Sequence, residues 1–182
     1  MLWFRSVKSN EFIGLLPNNE SLSDFIIKHN LLKDFEKFLN DCGQKYKLVE
    51  LEQLGKKVIG VKYKNYTALF GAVASAGTFS LWLFYYWMHR TDKISFVYLD
   101  EFDAFYHYEL SAYILKLVNS KSEFQSVLTS HNTLLINNEL MRPDCYAILK
   151  DGKISSFADS TNKTIRQGHN LEKMMLGGEF EI

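Results

Sequence analysis

The sequence contains few of the residues that mark linkers, disulfide frameworks or charge-driven binding. It has two prolines, ten glycines and two cysteines among 182 residues. Cys42 and Cys145 match no metal-ligand spacing and no disulfide framework, which predicts reduced thiols in a cytoplasmic protein. Neither sign of charge is in excess, because Lys plus Arg and Asp plus Glu both number 21. A neutral total gives no support for nucleic-acid binding through bulk charge, although it does not exclude a local basic patch.

Three further segments are missing or interrupted. No apolar run at the N-terminus is long enough for a secretory signal. The motif Gly-x-x-x-x-Gly-Lys-Ser/Thr, whose amides and lysine cradle nucleotide phosphates, does not occur anywhere in the sequence. Residues 69–88 carry no charge and reach the length of a bilayer span. Because Gly71, Ser75 and Gly77 interrupt the first half of this stretch, we expect a buried helix and no membrane span.

The chain is instead rich in apolar and aromatic residues, which make up 47% and 15% of it and suffice for a packed core. The spacing of apolar residues predicts a helix at about 23–42. Alternating apolar and polar residues then predict a hairpin with strands at 46–54 and 57–63. We therefore expect residues 1–65 to form an α+β N-terminal segment, in which no functional motif occurs.

From residue 66 onward the pattern changes to alternating helices and strands. The apolar spacing predicts these elements at 79–88, 94–99, 108–118 and 125–129. An Asp-Gly pair at 151–152 predicts a second hairpin. Residues 66–182 are therefore expected to form a second domain of α/β class, with a mostly parallel sheet flanked by helices.

Polar residues follow both of the predicted parallel strands. Asp100 and Glu101 end the first strand, and His131 follows the second. Ligands bind at the carboxyl edge of the strands in open α/β folds. An aspartate there can hold Mg²⁺, an adjacent glutamate can accept a proton from water, and a histidine can bond a terminal phosphate. Solvated acids at a strand end and an ordinary surface or core histidine fit the same pattern.

A third candidate lies at the start of the apolar helix, in Ser75-Ala76-Gly77-Thr78. Backbone amides at a helix N-terminus together with a serine hydroxyl form an anion site. A glycine allows a phosphate to approach the backbone closely. The alternative interpretation is a small-residue helix start that Thr78 caps.

In this order the motifs resemble those of ABC-type ATPases, and more narrowly of AAA-family ATPases related to overcoming-lysogenization-defect and abortive-infection proteins. Residues 75–78 resemble the signature loop, residues 96–101 the Walker B strand, residues 102–107 the D-loop, and residues 129–132 the switch-histidine segment. The resemblance covers roughly residues 69–180. It implies a partial P-loop NTPase fold with ATP and Mg²⁺ as cofactors.

The resemblance also implies a role for each residue of the Walker B and switch segments. Asp100 would bind Mg²⁺, Glu101 would be the catalytic base, and His131 would sense the γ-phosphate.

The remaining candidates would act between two copies of the chain. The resemblance implies that Ser75, Gly77 and Thr78 contact ATP held by a second protomer of a head-to-tail homodimer. Asp103 and His107, from the D-loop, would lie at the same interface.

The resemblance leaves one large gap, because the Walker A loop belongs to a lobe that this sequence does not contain. We expect that lobe to come from another chain or a longer parent protein, and we expect the isolated chain to be inactive. The implied role is phage defence or DNA-linked housekeeping, with a nucleic-acid partner left open. Two alternatives remain: a metal-dependent nuclease that uses Asp100, Glu101 and Asp103, and a non-catalytic fragment that dimerises.

Overall fold

The computed structural model of the chain describes residues 2–6, 12–13, 21–90, 94–121, 123–166 and 168–180, with side chains described from residue 21 onward. Its elements run in chain order as β1 (Leu2–Ser6), β2 (Phe12–Ile13), α1 (Leu22–Lys28), α2 (Leu32–Asp41), β3 (Leu48–Gln53), β4 (Lys56–Lys62), β5 (Thr67–Leu69), α3 (Phe70–Val73), α4 (Ala76–Met88), β6 (Phe96–Asp100), α5 (Tyr108–Asn119), β7 (Gln125–Leu128), β8 (Ala147–Lys150), β9 (Lys153–Ser156) and α6 (Leu171–Leu176).

The largest sheet has the strand order β2-β1-β6-β7. β6 pairs in parallel with β1 on one side and with β7 on the other, and β2 is antiparallel to β1. The register places Asp100 opposite Arg5 and Leu99 opposite Leu128. The mixed α/β class expected from the sequence is therefore correct. The sheet takes β1 from the predicted N-terminal segment, because strand pairing joins residues far apart in the chain.

Residues 22–41 form two helices rather than the single helix that the apolar spacing predicts. α1 begins with a capping box, in which Ser21 Oγ accepts from the Asp24 amide and the Asp24 carboxylate accepts from the Ser21 amide. Between the helices Asn30 has a φ of +55°, a left-handed conformation that asparagine tolerates better than most residues. This residue breaks the helix without disturbing the apolar spacing on either side.

β3, β4 and β5 form a separate antiparallel sheet, and β8 pairs with β9 as a two-stranded hairpin. The turn between β3 and β4 is Leu54–Gly55, where both φ angles are positive at +51° and +73°. The turn thus lies one residue earlier than the expected Gly55-Lys56. Positive φ angles at both residues give a two-residue hairpin loop a backbone twist that matches the twist of the flanking strands.

The main core is built around α4, in which every residue from Ser80 to Met88 is buried. Its side chains are apolar or aromatic on all faces, which is typical of a helix enclosed by other elements. Phe35 of α2 lies edge-on to Phe70 and stacks on Trp82, with ring centroids 5.7 Å and 5.9 Å away. α1, α2 and α5 therefore share one core with the large sheet.

The uncharged stretch 69–88 is divided, because Ala74 and Ser75 have extended backbones between α3 and α4. α4 itself has 13 residues. Among the described residues, the structure holds no helix with the length and hydropathy needed to cross a bilayer. A smaller second core lies under β8, β9 and α6 and contains Ile148, Phe157, Leu171, Met174 and Phe180.

The two thiols are expected to differ sharply in reactivity. Cys42 is buried and Cys145 is exposed. Burial, and to a smaller extent the charge of Asp41, raises the pKa of the Cys42 thiol to about 12, so little thiolate forms at neutral pH. We expect Ellman's reagent to modify one thiol in the native chain and two in denaturant. Cys145→Ser should remove the fast reaction, whereas rapid modification of both native thiols would contradict the packing around α2.

Candidate active site

The carboxyl end of β6 carries the first candidate residue. Asp100 is the last residue of the strand and is half-buried. Its Oδ1 accepts hydrogen bonds from Thr129 Oγ1 at 2.8 Å and from the Tyr98 hydroxyl at 3.2 Å. Burial, followed by the charge and hydrogen bond of Asp100, raises the pKa of Tyr98, which keeps this hydroxyl a donor. These two neutral donors thus help to fix the orientation of the carboxylate.

Thr129, directly after β7, fixes the backbone around the acidic pair. Its Oγ1 accepts from the Glu101 amide at 2.8 Å, in addition to donating to Asp100. Its amide donates to the Leu99 carbonyl at 2.9 Å, and its carbonyl accepts from the Phe102 amide at 3.2 Å. Glu101 has a φ of +47°, which is uncommon for a residue with a side chain. Four hydrogen bonds to one threonine thus surround and stabilise this conformation.

Glu101 and His131 lie close together at the solvent side of this strand end. Glu101 Oε1 is 3.8 Å from His131 Nε2, and the two side chains are 49% and 92% exposed. This separation exceeds a hydrogen bond but allows an ion pair when the imidazole is protonated. Both groups are accessible to water and to a ligand at the edge of the sheet.

A second link joins the turn after Glu101 to the segment that contains His131. Ser130 Oγ donates to Asp103 Oδ2 at 2.8 Å and accepts from the Asn132 amide at 2.9 Å. Asp103 is therefore close to the switch segment of its own chain. The structure brings Asp100, Glu101, Asp103 and His131 to one edge of the sheet.

The N-terminus of α4 carries the predicted signature loop. Ser75 caps the helix, and its Oγ accepts from the Thr78 amide at 3.1 Å. Thr78 is fully buried, and its hydroxyl lies 2.9 Å from Ser75 Oγ and 3.4 Å from Gln44 Oε1. Thr78 thus contributes to packing, while Ser75 is exposed and Gly77 partly exposed.

The signature loop and the predicted D-loop pack against each other. A Cβ added at Gly77 would lie 3.2 Å from the Phe105 carbonyl oxygen, which is closer than most side chains tolerate. One residue further along, the buried hydroxyl of Tyr106 is 2.6 Å from Ser80 Oγ of α4. Burial raises the pKa of Tyr106, which keeps this contact neutral. A larger residue at position 77 would therefore require the backbone of Phe105 to move by a few tenths of an ångström.

His107 caps α5 at the end of the predicted D-loop. Its Nδ1 accepts from the Leu110 amide at 3.2 Å and lies 3.6 Å from Glu109 Oε2. The ring is largely exposed. His107 therefore has a structural role in the chain, and one side of its imidazole faces solvent.

The donor set at the strand end suits a nucleotide-bound magnesium ion better than a protein cage for two metals. Among residues with described positions, no three His, Cys, Asp or Glu side chains converge as a metal site. A two-metal nuclease uses several carboxylates around its ions. Mg²⁺ bound with ATP takes one or two carboxylates and completes its shell with phosphate oxygens and water. The oriented Asp100 carboxylate fits that smaller requirement.

Three polar side chains of the site, Tyr98, Thr129 and Ser130, were assigned no role of their own from the sequence. Tyr98 lies two residues before Asp100, so strand alternation places both on one face. Leu99 pairs with Leu128, which brings the next residues, Asp100 and Thr129, to the same edge. Ser130 follows and reaches Asp103. The signal in the sequence was a pair of adjacent hydroxyl residues directly after a strand that neighbours β6.

Comparisons with known proteins agree with the ATPase relation. No curated protein matches the chain. A solved structure described as "Structural biochemistry of ATP-driven dimerization and DNA stimulated activation of SMC ATPases" is similar, with a TM-score of 0.52 and 16% sequence identity. The similarity covers 85% of this chain and 93% of that chain, and at this identity it concerns the fold alone. A family model described as "AAA domain, putative AbiEii toxin, Type IV TA system" matches residues 5–137. Because this match spans more than half of the sequence, the chain belongs to that AAA domain family.

Proposed function

We propose that the chain supplies the magnesium-binding and water-activating half of an ATP-hydrolysing site. The observation that carries this proposal is the arrangement at the carboxyl end of β6. There Thr129 bonds both the Asp100 carboxylate and the Glu101 amide, with His131 3.8 Å from the Glu101 carboxylate. The membership of an AAA domain family supports an ATPase-type function in general.

Each residue has a defined task in this proposal. Asp100 binds the magnesium ion of Mg–ATP, and that ion neutralises charge on the phosphates. Glu101, exposed at the strand end, accepts the proton of the attacking water. His131 donates a hydrogen bond to the γ-phosphate. Its Nε2 lies 3.8 Å from Glu101 Oε1, so the two side chains can face the same phosphate and water.

We propose that the phosphate-binding half comes from a lobe with a Walker A loop, because the sequence contains no such motif. β7 supports this division, since it is the last strand of the described sheet on that side. An edge strand presents backbone N–H and C=O groups along its outer side, and an added strand pairs with them. The lobe is thus proposed to pair with β7, beside the Asp100 carboxylate.

The surface around Ser75, Gly77, Asp103 and His107 is proposed to contact a second copy of the chain. The signature loop and D-loop pack together through Gly77 and Phe105, so they form one continuous surface. Ser75 and Gly77 would then contact ATP bound by the partner protomer. The similar SMC structure is described with ATP-driven dimerization of that protein, which is consistent with a head-to-tail homodimer here.

The trans-lobe proposal is tested by sequencing the DNA next to the gene and by complementation. We expect a neighbouring reading frame to encode a Walker A loop. The 182-residue chain alone should not turn over ATP, whereas a mixture with that lobe should, and an alanine in place of the loop lysine should abolish turnover. Tight ATP binding with turnover by the chain alone would contradict the division of the site.

A further inference from the structure

Positive charge is concentrated on the sheet formed by β3, β4 and β5. Residues 45–66 contain six lysines and two glutamates, whereas the whole chain has 21 residues of each sign. One of these glutamates, Glu50, forms an ion pair with Lys57, with its Oε2 3.0 Å from Lys57 Nζ, and so offsets the charge of that lysine. A chain that is neutral overall therefore carries a strongly basic local surface, which is a recognised signature of contact with polyanions.

Four of the lysines gather at the end of this sheet opposite the Leu54–Gly55 turn, and all four are exposed: Lys45, Lys47, Lys62 and Lys64. The Lys62 amide donates to the Lys47 carbonyl at 2.8 Å, so these two residues face each other on neighbouring strands. Within the part of the chain that the structure describes, none of the four forms an ion pair. Like charges directly opposite destabilise a sheet, and a bound anion relieves that repulsion.

Two exposed tyrosines occupy the same end of the sheet. Tyr63 and Tyr66 flank a two-residue turn, and the Tyr63 amide donates to the Tyr66 carbonyl at 2.9 Å. Their rings are stacked, with centroids 4.7 Å apart and an interplanar angle of 19°. The residues are 37% and 62% exposed, so the stack is open to solvent. An exposed aromatic stack is a surface on which a nucleobase can continue the stacking.

We propose that this lysine–tyrosine end of the sheet binds single-stranded nucleic acid. Strand alternation places Lys47 and Lys62 on one face and Tyr63 with Tyr66 on the other, with Lys64 in the turn between them. A flexible strand that crosses the end of the sheet reaches both faces, with phosphates on the lysines and a base on the tyrosine stack. A duplex hides the faces of its bases, so it engages the lysines alone. This surface is distinct from the edge that carries Asp100 and Glu101.

The test is fluorescence anisotropy with the full chain and a labelled oligothymidylate of about 20 nucleotides, compared with a duplex of equal length. We expect tighter binding of the single strand at the same salt concentration. Tyr66→Ala should weaken binding at least about tenfold, whereas Tyr66→Phe should preserve it, because stacking needs only the ring. The double substitution Lys47→Glu with Lys62→Glu should reduce the log–log salt dependence by about 1.4, which corresponds to two phosphate contacts.

Lys150→Glu with Lys153→Glu provides the matched control. These two lysines are also exposed and directly opposite, on β8 and β9, but no tyrosine stack accompanies them. Binding should be unchanged in this variant, and circular dichroism should show that all variants are folded. Absence of binding, equal affinity for the duplex, an equal loss in the control, or no effect of Tyr66→Ala would each overturn the proposal. None of these outcomes depends on ATP hydrolysis.

Discussion

Glu101→Gln is expected to lower ATP hydrolysis by the complemented protein by about 10²- to 10⁴-fold, the range that general base catalysis contributes. Gln has nearly the same shape and preserves the backbone bond from the residue 101 amide to Thr129 Oγ1. It cannot accept the proton of water, so the loss should fall on kcat. Binding of Mg–ATP should persist, because the proposed metal ligand is Asp100.

The control for this prediction is Glu123→Gln, which changes an exposed glutamate near the start of β7. It should leave kcat and KM unchanged. Fluorescent Mg–ATP binding and steady-state hydrolysis, measured on both variants, separate binding from chemistry. Hydrolysis that survives Glu101→Gln would exclude Glu101 as the base, even if the chain proved to be an ATPase.

Thr129→Val is expected to impair both stability and catalysis while keeping the shape of the side chain. The change removes the donor to Asp100 Oδ1 and the acceptor for the Glu101 amide, both at 2.8 Å. Losing two hydrogen bonds of about 0.5–1.5 kcal/mol each should lower the free energy of unfolding, which denaturant titration measures. In this variant the Tyr98 hydroxyl still donates to the Asp100 carboxylate. The positive φ of Glu101, however, is stabilised by one hydrogen bond fewer. We expect kcat to fall by more than tenfold.

Thr129→Ser distinguishes positioning from general destabilisation. Serine retains the hydroxyl and should restore most of kcat, although it lacks the methyl group. Thr133→Val serves as the comparison, because its hydroxyl donates to Glu172 at 3.3 Å rather than to Asp100. If Thr129→Val lowered stability but left kcat unchanged, Thr129 would have no positioning role.

Short-range patterns made β6 and the buried helix α4 predictable. An apolar run followed by Asp100 and Glu101 requires only neighbouring residues, and β6 does end at Asp100. The apolar helix was recognisable for the same reason, since α4 is buried on all sides. The expected relation to AAA-family ATPases is confirmed by the family match. The individual roles of the site residues remain predictions.

Local backbone conformation was harder to predict, because one residue can change it without altering the apolar pattern. Asn30, with its positive φ, divides the expected helix at 23–42 into α1 and α2. Leu54 adopts a positive φ in the β3–β4 turn despite its branched side chain, because the two-residue loop requires it. Neither asparagine nor leucine indicates a positive φ as strongly as glycine does.

The sequence by itself determined that two acids stand at the end of a buried strand, that small residues begin a buried helix, and that the motif Gly-x-x-x-x-Gly-Lys-Ser/Thr does not occur. Only the tertiary structure decided that β1 joins β6, that Thr129 holds Asp100 and Glu101, and that Thr78 is buried. The reason is that periodicity and motif spacing report local burial and conformation. Strand pairing and hydrogen bonds across the sheet join residues that are far apart in the chain, and these set the geometry of the acidic pair.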